Sequence, residues 1–145
     1  MSGEFQNAKS FQRAFKPGDR IYISGFRVAD SGGRVTRNRP PVLAEVCCTY
    51  SPASEQDCRR KGWPAMYLIP VKPDGSLDFM SSVLWRHLGF YDDLQSAQLG
   101  YRDAVLRSRQ TVRNAKKKAQ AKFKKTEDYI DRVLQNINWN PSGKD

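Results

Sequence analysis

The residues best suited to chemistry in this sequence are the cations of one run in its last third. From Ala104 to Thr126 there is no acidic residue. Basic side chains neutralise phosphates and release the counterions condensed on a nucleic acid. On a helix, like charges repel by about a few tenths of a kcal/mol per pair, so we expect an anionic partner to offset them. The nine cations of the run are Arg107, Arg109, Arg113, Lys116, Lys117, Lys118, Lys122, Lys124 and Lys125.

A second set of cations falls in two stretches that the composition marks as loops. Residues 29–41 are rich in Gly, Pro, Asn and Arg, and residues 51–62 are mostly polar. Arginine binds phosphate through two parallel hydrogen bonds and stacks on bases, so these loops are candidate nucleic-acid contacts as well as ordinary polar loops. Tyr22, Trp63 and Tyr67 could stack on bases or simply pack. The loop cations are Arg34, Arg37 and Arg39, preceded by Arg27, and then Arg59, Arg60 and Lys61.

No residues in the sequence form a recognisable catalytic or metal-binding group. His87 is the single histidine, and Cys47 and Cys48 are adjacent, so on a strand they point to opposite faces. With Cys58 as the remaining thiol, there is no Cys-x-x-Cys pair for a zinc site. Gly32-Gly33-Arg34 lacks the Gly-Lys-Ser/Thr of a phosphate-binding loop. We therefore expect no enzyme activity, no catalytic residues, no cofactor and no metal.

Composition restricts the classes of partner and the location. The 145 residues include 25 basic and 15 acidic side chains, a net charge of +10, which favours polyanions such as nucleic acid, acidic protein surfaces or anionic lipid heads. No apolar stretch is long enough to cross a membrane, and residues 1–6 lack the pattern of a secretory signal. Three cysteines, two of them adjacent, suit a reducing compartment. We expect a cytoplasmic protein, with nucleoid or ribosome association as an option.

Hydrophobic periodicity predicts an α+β fold. Apolar residues at helical spacing indicate a short helix over residues 4–15, which Lys16-Pro17-Gly18-Asp19 ends. Five short strands follow, and so small a sheet is expected to curl into an antiparallel barrel to avoid exposed edges. The predicted strands are 20–24, 42–50, 66–71, 77–79 after the turn at Pro73-Asp74-Gly75, and a fifth from Ser82 to Trp85 or Leu88.

The last third predicts a long helix, either continuous or with one bend. Asp92 or Asp93 can cap it, and an apolar stripe runs from Leu94 to Ile137, thin and mostly alanine in the middle. We divide the chain into a barrel domain with its N-terminal helix (1–91), a long basic helix (92–138) and a frayed tail (139–145). The stripe would pack equally well on its own barrel or on a second copy, so a homodimer stays open.

Residues 18–35 resemble the KOW motif of small SH3-like barrels. Gly18-Asp19-Arg20-Ile21-Tyr22-Ile23-Ser24-Gly25 matches its turn and alternating strand, and Gly32-Gly33-Arg34-Val35 matches the Gly-rich bend into the next strand. The spacing from Gly25 to Gly32 is longer than in the family. The resemblance implies an SH3-like barrel that binds RNA, DNA or components of transcription and the ribosome. A small basic barrel with a helix also resembles phage-encoded accessory proteins that act on nucleic acid.

Two functions from different classes remain at the level of sequence. In the first, the protein binds DNA or RNA, largely through the backbone with weak sequence preference, and modulates transcription or the nucleoid. In the second, it is an interaction module or inhibitor whose basic helix docks on an acidic protein such as a host polymerase, nuclease or chromatin protein. Binding that falls steeply with salt would favour the first.

Overall fold

The computed structural model describes residues 2–36 and 38–137, and the fold is α+β. Arg37 and the tail 139–145 lie outside the described residues. The strands are β1 (Ser2–Gly3), β2 (Arg20–Gly25), β3 (Val42–Cys47), β4 (Tyr67–Pro70), β5 (Val83–Leu84) and β6 (Leu88–Tyr91). The helices are α1 (Ala8–Ala14), α2 (Glu55–Cys58) and α3 (Leu94–Asn136), with 3-10 turns at Phe79–Ser81 and Trp85–His87.

The strands form one antiparallel sheet in the order β1-β6-β2-β3-β4-β5, curled into a half-barrel. β2 lies centrally and pairs with β3 and β6, so that Ile23 is opposite Val42 on one side and Phe90 on the other. Ile21 and Ile23 are buried, as the alternation of polar and apolar residues in this strand predicted. The predictions of an α+β fold with a small antiparallel sheet and a long C-terminal helix are confirmed.

Two predicted strands have different local structure. Leu77 makes an isolated bridge to Val71, and the chain then enters the turn Phe79–Ser81, so 77–79 is not a strand. The predicted fifth strand, from Ser82 to Trp85 or Leu88, is cut short to β5 by the turn Trp85–His87, and β6 beyond it was not predicted. Trp85 is buried and its ring stacks on Phe11 at 5.8 Å between centroids. Burial of this large side chain against α1 accounts for the interruption, which local alternation does not reveal.

Aromatic side chains form the main core between α1 and the sheet. The rings of Phe11, Phe15 and Phe90 lie 5.4–5.5 Å apart, centroid to centroid, and Phe5 closes the cluster at 5.2 Å from Phe90. Asn7 caps α1 by accepting a hydrogen bond of 2.9 Å from the Ser10 amide. A smaller cluster of Cys47, Cys58, Ile69 and Leu77 lies under α2.

α3 is one continuous helix of 43 residues. Asp93 caps it, because its carboxylate accepts a 2.7 Å hydrogen bond from the Ser96 amide. Its first half packs on β2 and β6 through small residues, of which Ala97, Ala104 and Ser108 are buried. Gly100 is also needed there, because a Cβ would run into the Tyr91 ring. From residue 116 to 137 every side chain is exposed, so the second half projects beyond the sheet.

Within residues 2–36 and 38–137, no helix is both long and apolar enough to cross a membrane. α3 has the length, but charged residues occur throughout it.

Candidate functional site

The arginine-rich loop between β2 and β3 has a defined shape. Its two ends are joined by a 2.8 Å hydrogen bond from the Gly25 amide to the Arg39 carbonyl, and further in the Thr36 amide donates to the Val28 carbonyl at 2.8 Å. At its tip the Asp30 carboxylate accepts from the amides of Gly32 and Arg34. Arg27, Arg34 and Arg39 therefore lie on a loop whose backbone is fixed by internal hydrogen bonds.

Two hydrogen bonds attach this loop to the first half of α3. The Val28 amide donates to Oγ of Ser108 at 2.9 Å, and Ser108 is buried. The Tyr101 hydroxyl donates to Oδ1 of Asn38. Tyr101 and Ser108 are seven residues apart, two helical turns on one side of α3, so both ends of the loop are fixed to the same side of the helix.

A surface depression follows the line where the loop meets α3, and we call it the loop–helix groove. It consists of three adjoining hollows, neighbours sharing Phe26 and Arg27 or Ser31 and Thr111. Its walls carry positive charge from both loop and helix, and Glu4 and Asp30 lie on its middle part. Its lining includes Phe26, Arg27, Arg39 and His87 at one end, Arg107 and Thr111 in the middle, and Asn114 and Lys118 at the other end.

The nine cations of the basic run divide between two sides of α3. Arg107, Thr111, Asn114 and Lys118 are three or four residues apart and share the side that borders the groove. The same spacing carries that side on to Lys122 and Lys125. The remaining five cations, on the other sides of the helix, are Arg109, Arg113, Lys116, Lys117 and Lys124. All nine are exposed.

Arg59 is bound within the protein. Its Nε donates to Oε2 of Glu45 at 2.9 Å and its Nη2 to Oε1 at 2.6 Å, while Glu45 is 1% exposed. The hydrogen bonds to Glu45 raise the pKa of Arg59 above its ordinary value. Arg20 adds a second ion pair to Glu45 at 3.2 Å. Because a buried carboxylate needs charged partners, Arg59 contributes to the stability of the fold.

Arg60 and Lys61 are exposed but lie far from the groove. Arg60 pairs with Asp57 at 3.2 Å and stacks over the Trp63 ring at 4.9 Å. This loop adjoins the Arg20–Glu45 end of the β2–β3 pair, whereas the arginine-rich loop leaves the Gly25 end. A six-residue strand separates the two ends by about 17 Å. The structure thus does not bring these two loops together.

The aromatic candidates named from the sequence are outside the groove. Tyr22 and Tyr67 are half-buried, the latter 5.6 Å from the Tyr50 ring, and Arg60 covers Trp63. Phe26 lines the groove instead, together with His87, and neither was selected as a binding residue from the sequence. In the sequence, Phe26 is marked only by following a strand directly, and His87 only by its place in a turn beside Leu88. Neither position is a strong indication of a binding residue.

The three cysteines are buried and free. Burial raises the pKa of Cys47 and Cys58 above its ordinary value, which keeps both thiols protonated. Among the residues that the structure describes, no group of three His, Cys, Asp or Glu side chains is arranged to hold a metal ion.

Comparison with known proteins gives no relative for this chain. No family model, no curated protein and no solved structure matches it.

Proposed function

We propose that this protein binds nucleic acid in the loop–helix groove, mainly through the phosphate backbone. The observation that carries the proposal is the meeting of two cation groups, 68 or more residues apart in sequence, along one depression: Arg27 and Arg39 from the loop, and Arg107 and Lys118 from the helix. Cations on both walls can contact successive phosphates. The role we propose is one of binding, without catalysis.

The chemistry of the groove suits a strand whose bases are partly accessible. Phe26 offers an aromatic surface beside Arg27, and base stacking on aromatic or guanidinium groups tolerates any sequence. Thr111 and Asn114 supply neutral hydrogen-bonding groups between the cations. These features support backbone-driven binding with weak sequence preference, in keeping with a role in transcription or the nucleoid.

The resemblance to the KOW motif supports the same proposal. Gly18 has a φ of 101°, which favours glycine, and its amide donates to the Val46 carbonyl at 2.8 Å where β2 begins. We propose that the half-barrel is a divergent SH3-like domain in which the longer Gly25–Gly32 segment has become one wall of the groove.

The test uses a pair of adjacent lysines as its own control. Lys118 borders the groove and Lys117 faces another side of α3, and both are exposed. The affinity of the wild type, Lys118→Glu and Lys117→Glu is measured by fluorescence anisotropy at a series of salt concentrations. The labelled ligands are duplex DNA, single-stranded DNA and RNA. We expect Lys118→Glu to lose about tenfold in affinity and to lower the salt slope by about 1, and Lys117→Glu to lose much less.

The other outcomes of this titration are equally informative. Equal losses in the two variants would show that net charge alone, and not the groove, gives the affinity. Absence of binding to all three nucleic acids at low salt would overturn the proposal and direct the search to an acidic protein partner.

A further inference from the structure

The projecting half of α3 carries an apolar stripe that nothing in the described chain covers. Phe123, Ile130, Val133 and Ile137 recur with Thr126 at spacings of three or four residues, and Tyr129 and Leu134 flank them. These six large apolar side chains are 40–65% exposed. Water-exposed apolar surface of this extent along one side of a helix is typical of an interface.

We propose that this stripe pairs with the same stripe of a second copy, with the two helices antiparallel. In this arrangement Phe123 packs against Val133 of the other helix and Thr126 against Ile130. Each contact occurs twice, once from each chain, so side chains fill the whole interface between the helices. The side-chain spacing of three and four residues is that of two-stranded helical seams. The proposal does not depend on nucleic-acid binding.

Charge along the projecting helix favours the antiparallel orientation. Between residues 116 and 125 there are six lysines and no acidic residue, whereas residues 126–137 hold three acidic residues and one arginine. A parallel pair would place the six lysines of one helix beside the six of the other. An antiparallel pair moves the lysines to opposite ends and leaves balanced charges at the centre.

The position of the sheet favours the same orientation. From Ser108 through Val112, Ala115 and Ala119 to Phe123, each step is three or four residues. The stripe is therefore the continuation of the side of α3 that packs on the sheet. A parallel partner on this side would meet the sheet that already covers α3, whereas an antiparallel partner carries its own sheet at the far end.

Other occupants fit the stripe less well. Glu127 and Asp131, seven and three residues before Leu134, lie on one flank of the stripe and would repel both an anionic lipid surface and a phosphate backbone. A second copy supplies apolar side chains for the seam and lysines within reach of these carboxylates.

The first test is the oligomeric state of the full-length chain. Analytical ultracentrifugation over a concentration series should give twice the mass of one chain for the wild type. Ile130→Glu, on the stripe, should give the mass of a single chain, and the matched control Gln135→Glu, on the opposite side of the same turns, should remain dimeric. Both side chains are exposed, so neither change threatens the sheet. A wild type that is monomeric throughout would overturn the proposal.

The second test fixes the orientation by disulfide cross-linking. In the antiparallel pair, a mixture of Thr126→Cys and Ile130→Cys chains should cross-link, and Thr126→Cys alone should not. Cross-linking of Thr126→Cys alone would show a parallel pair and contradict the inference. Because the native thiols are buried, the wild type should form no cross-link under the same oxidation. Ile130→Glu should still bind a short oligonucleotide, so failure of this proposal and of the binding proposal are separately visible.

Discussion

The amide of Val28 donates a 2.9 Å hydrogen bond to Oγ of Ser108, which lies 80 residues further along the chain. Ser108 is a buried polar residue on the side of α3 where Ala97 and Ala104 otherwise make the contact with the sheet. An alanine would fit the same space, so the hydroxyl is explained by the loop amide it satisfies. This bond and the one from Tyr101 to Asn38 join the two walls of the groove.

Replacing Ser108 with alanine should therefore loosen the groove. A fully buried amide left without an acceptor costs about 1–3 kcal/mol, and because the bond from Val28 is only part-buried we expect a loss at the lower end of this range, about 1 kcal/mol, in the free energy of unfolding. Binding of labelled single-stranded DNA should weaken as well, because Arg27 and Arg107 would no longer be held in register. Chemical denaturation and anisotropy measure the two effects. Unchanged stability would show that the amide finds water instead.

Replacing Arg59 with alanine should destabilise the fold without affecting the groove. Glu45 would keep only Arg20, and removing one partner from a buried carboxylate costs about 3 kcal/mol, reduced somewhat because Arg59 is partly exposed. Arg60→Ala is the matched control, since its neighbouring pair is exposed and should change the unfolding free energy by less than about 0.5 kcal/mol. A loss of nucleic-acid affinity in Arg59→Ala, at temperatures where it stays folded, would contradict this assignment.

The cap of α3 should make stability fall in acid. The hydrogen bond from the Ser96 amide lowers the pKa of Asp93 below its ordinary value of 3.8. A depressed pKa contributes stability above the unfolded pKa, and this contribution is lost as the pH falls through the folded pKa. Asp93→Asn can still accept the hydrogen bond but cannot titrate. The difference in melting temperature between wild type and Asp93→Asn should thus shrink below about pH 5. A difference that stays constant with pH would show that protonation of Asp93 does not cause the loss of stability in acid.

Gly100→Ala should destabilise the protein, although alanine is the better helix former. In an exposed helix this change stabilises by about 1 kcal/mol. Here the new Cβ would overlap the ring of Tyr91, and an overpacked contact costs about 1–3 kcal/mol. Ala121→Gly, on the projecting half, gives the reference for helix propensity alone, to be measured by thermal denaturation. An increase in stability on Gly100→Ala would show that Tyr91 moves aside at little cost.

Local periodicity was sufficient to predict the elements that are regular in sequence. Arg20–Ser24 was predicted as a strand and extends to Gly25, and the helix predicted from Asp92 or Asp93 begins at Leu94 with Asp93 as its cap. The turn at Trp85–His87 was not predictable in this way, because it depends on where α1 places Phe11. The cations proposed to bind nucleic acid were selected from the sequence by composition alone.

Which of those cations lie along one depression could not be predicted from the sequence. The pairing of Val28 with Ser108, and of Asn38 with Tyr101, depends on how α3 lies across the sheet, which small residues and the Tyr91–Gly100 contact determine. The ion pair of Arg59 with Glu45 likewise follows from the burial of Glu45, and strand alternation alone could place Glu45 on either face of the sheet. Both are tertiary effects with no local signature.

The exposed half of α3 is a spacer of fixed length. At 1.5 Å per residue it extends about 33 Å past the sheet, and it contains neither glycine nor proline from residue 116 to 137 to act as a joint. Two chains joined along it would hold their sheets about 40 Å apart, a span set by residue count. Inserting or deleting whole turns in this segment would change that span in defined steps, and with it the separation of the two proposed nucleic-acid grooves in the proposed dimer.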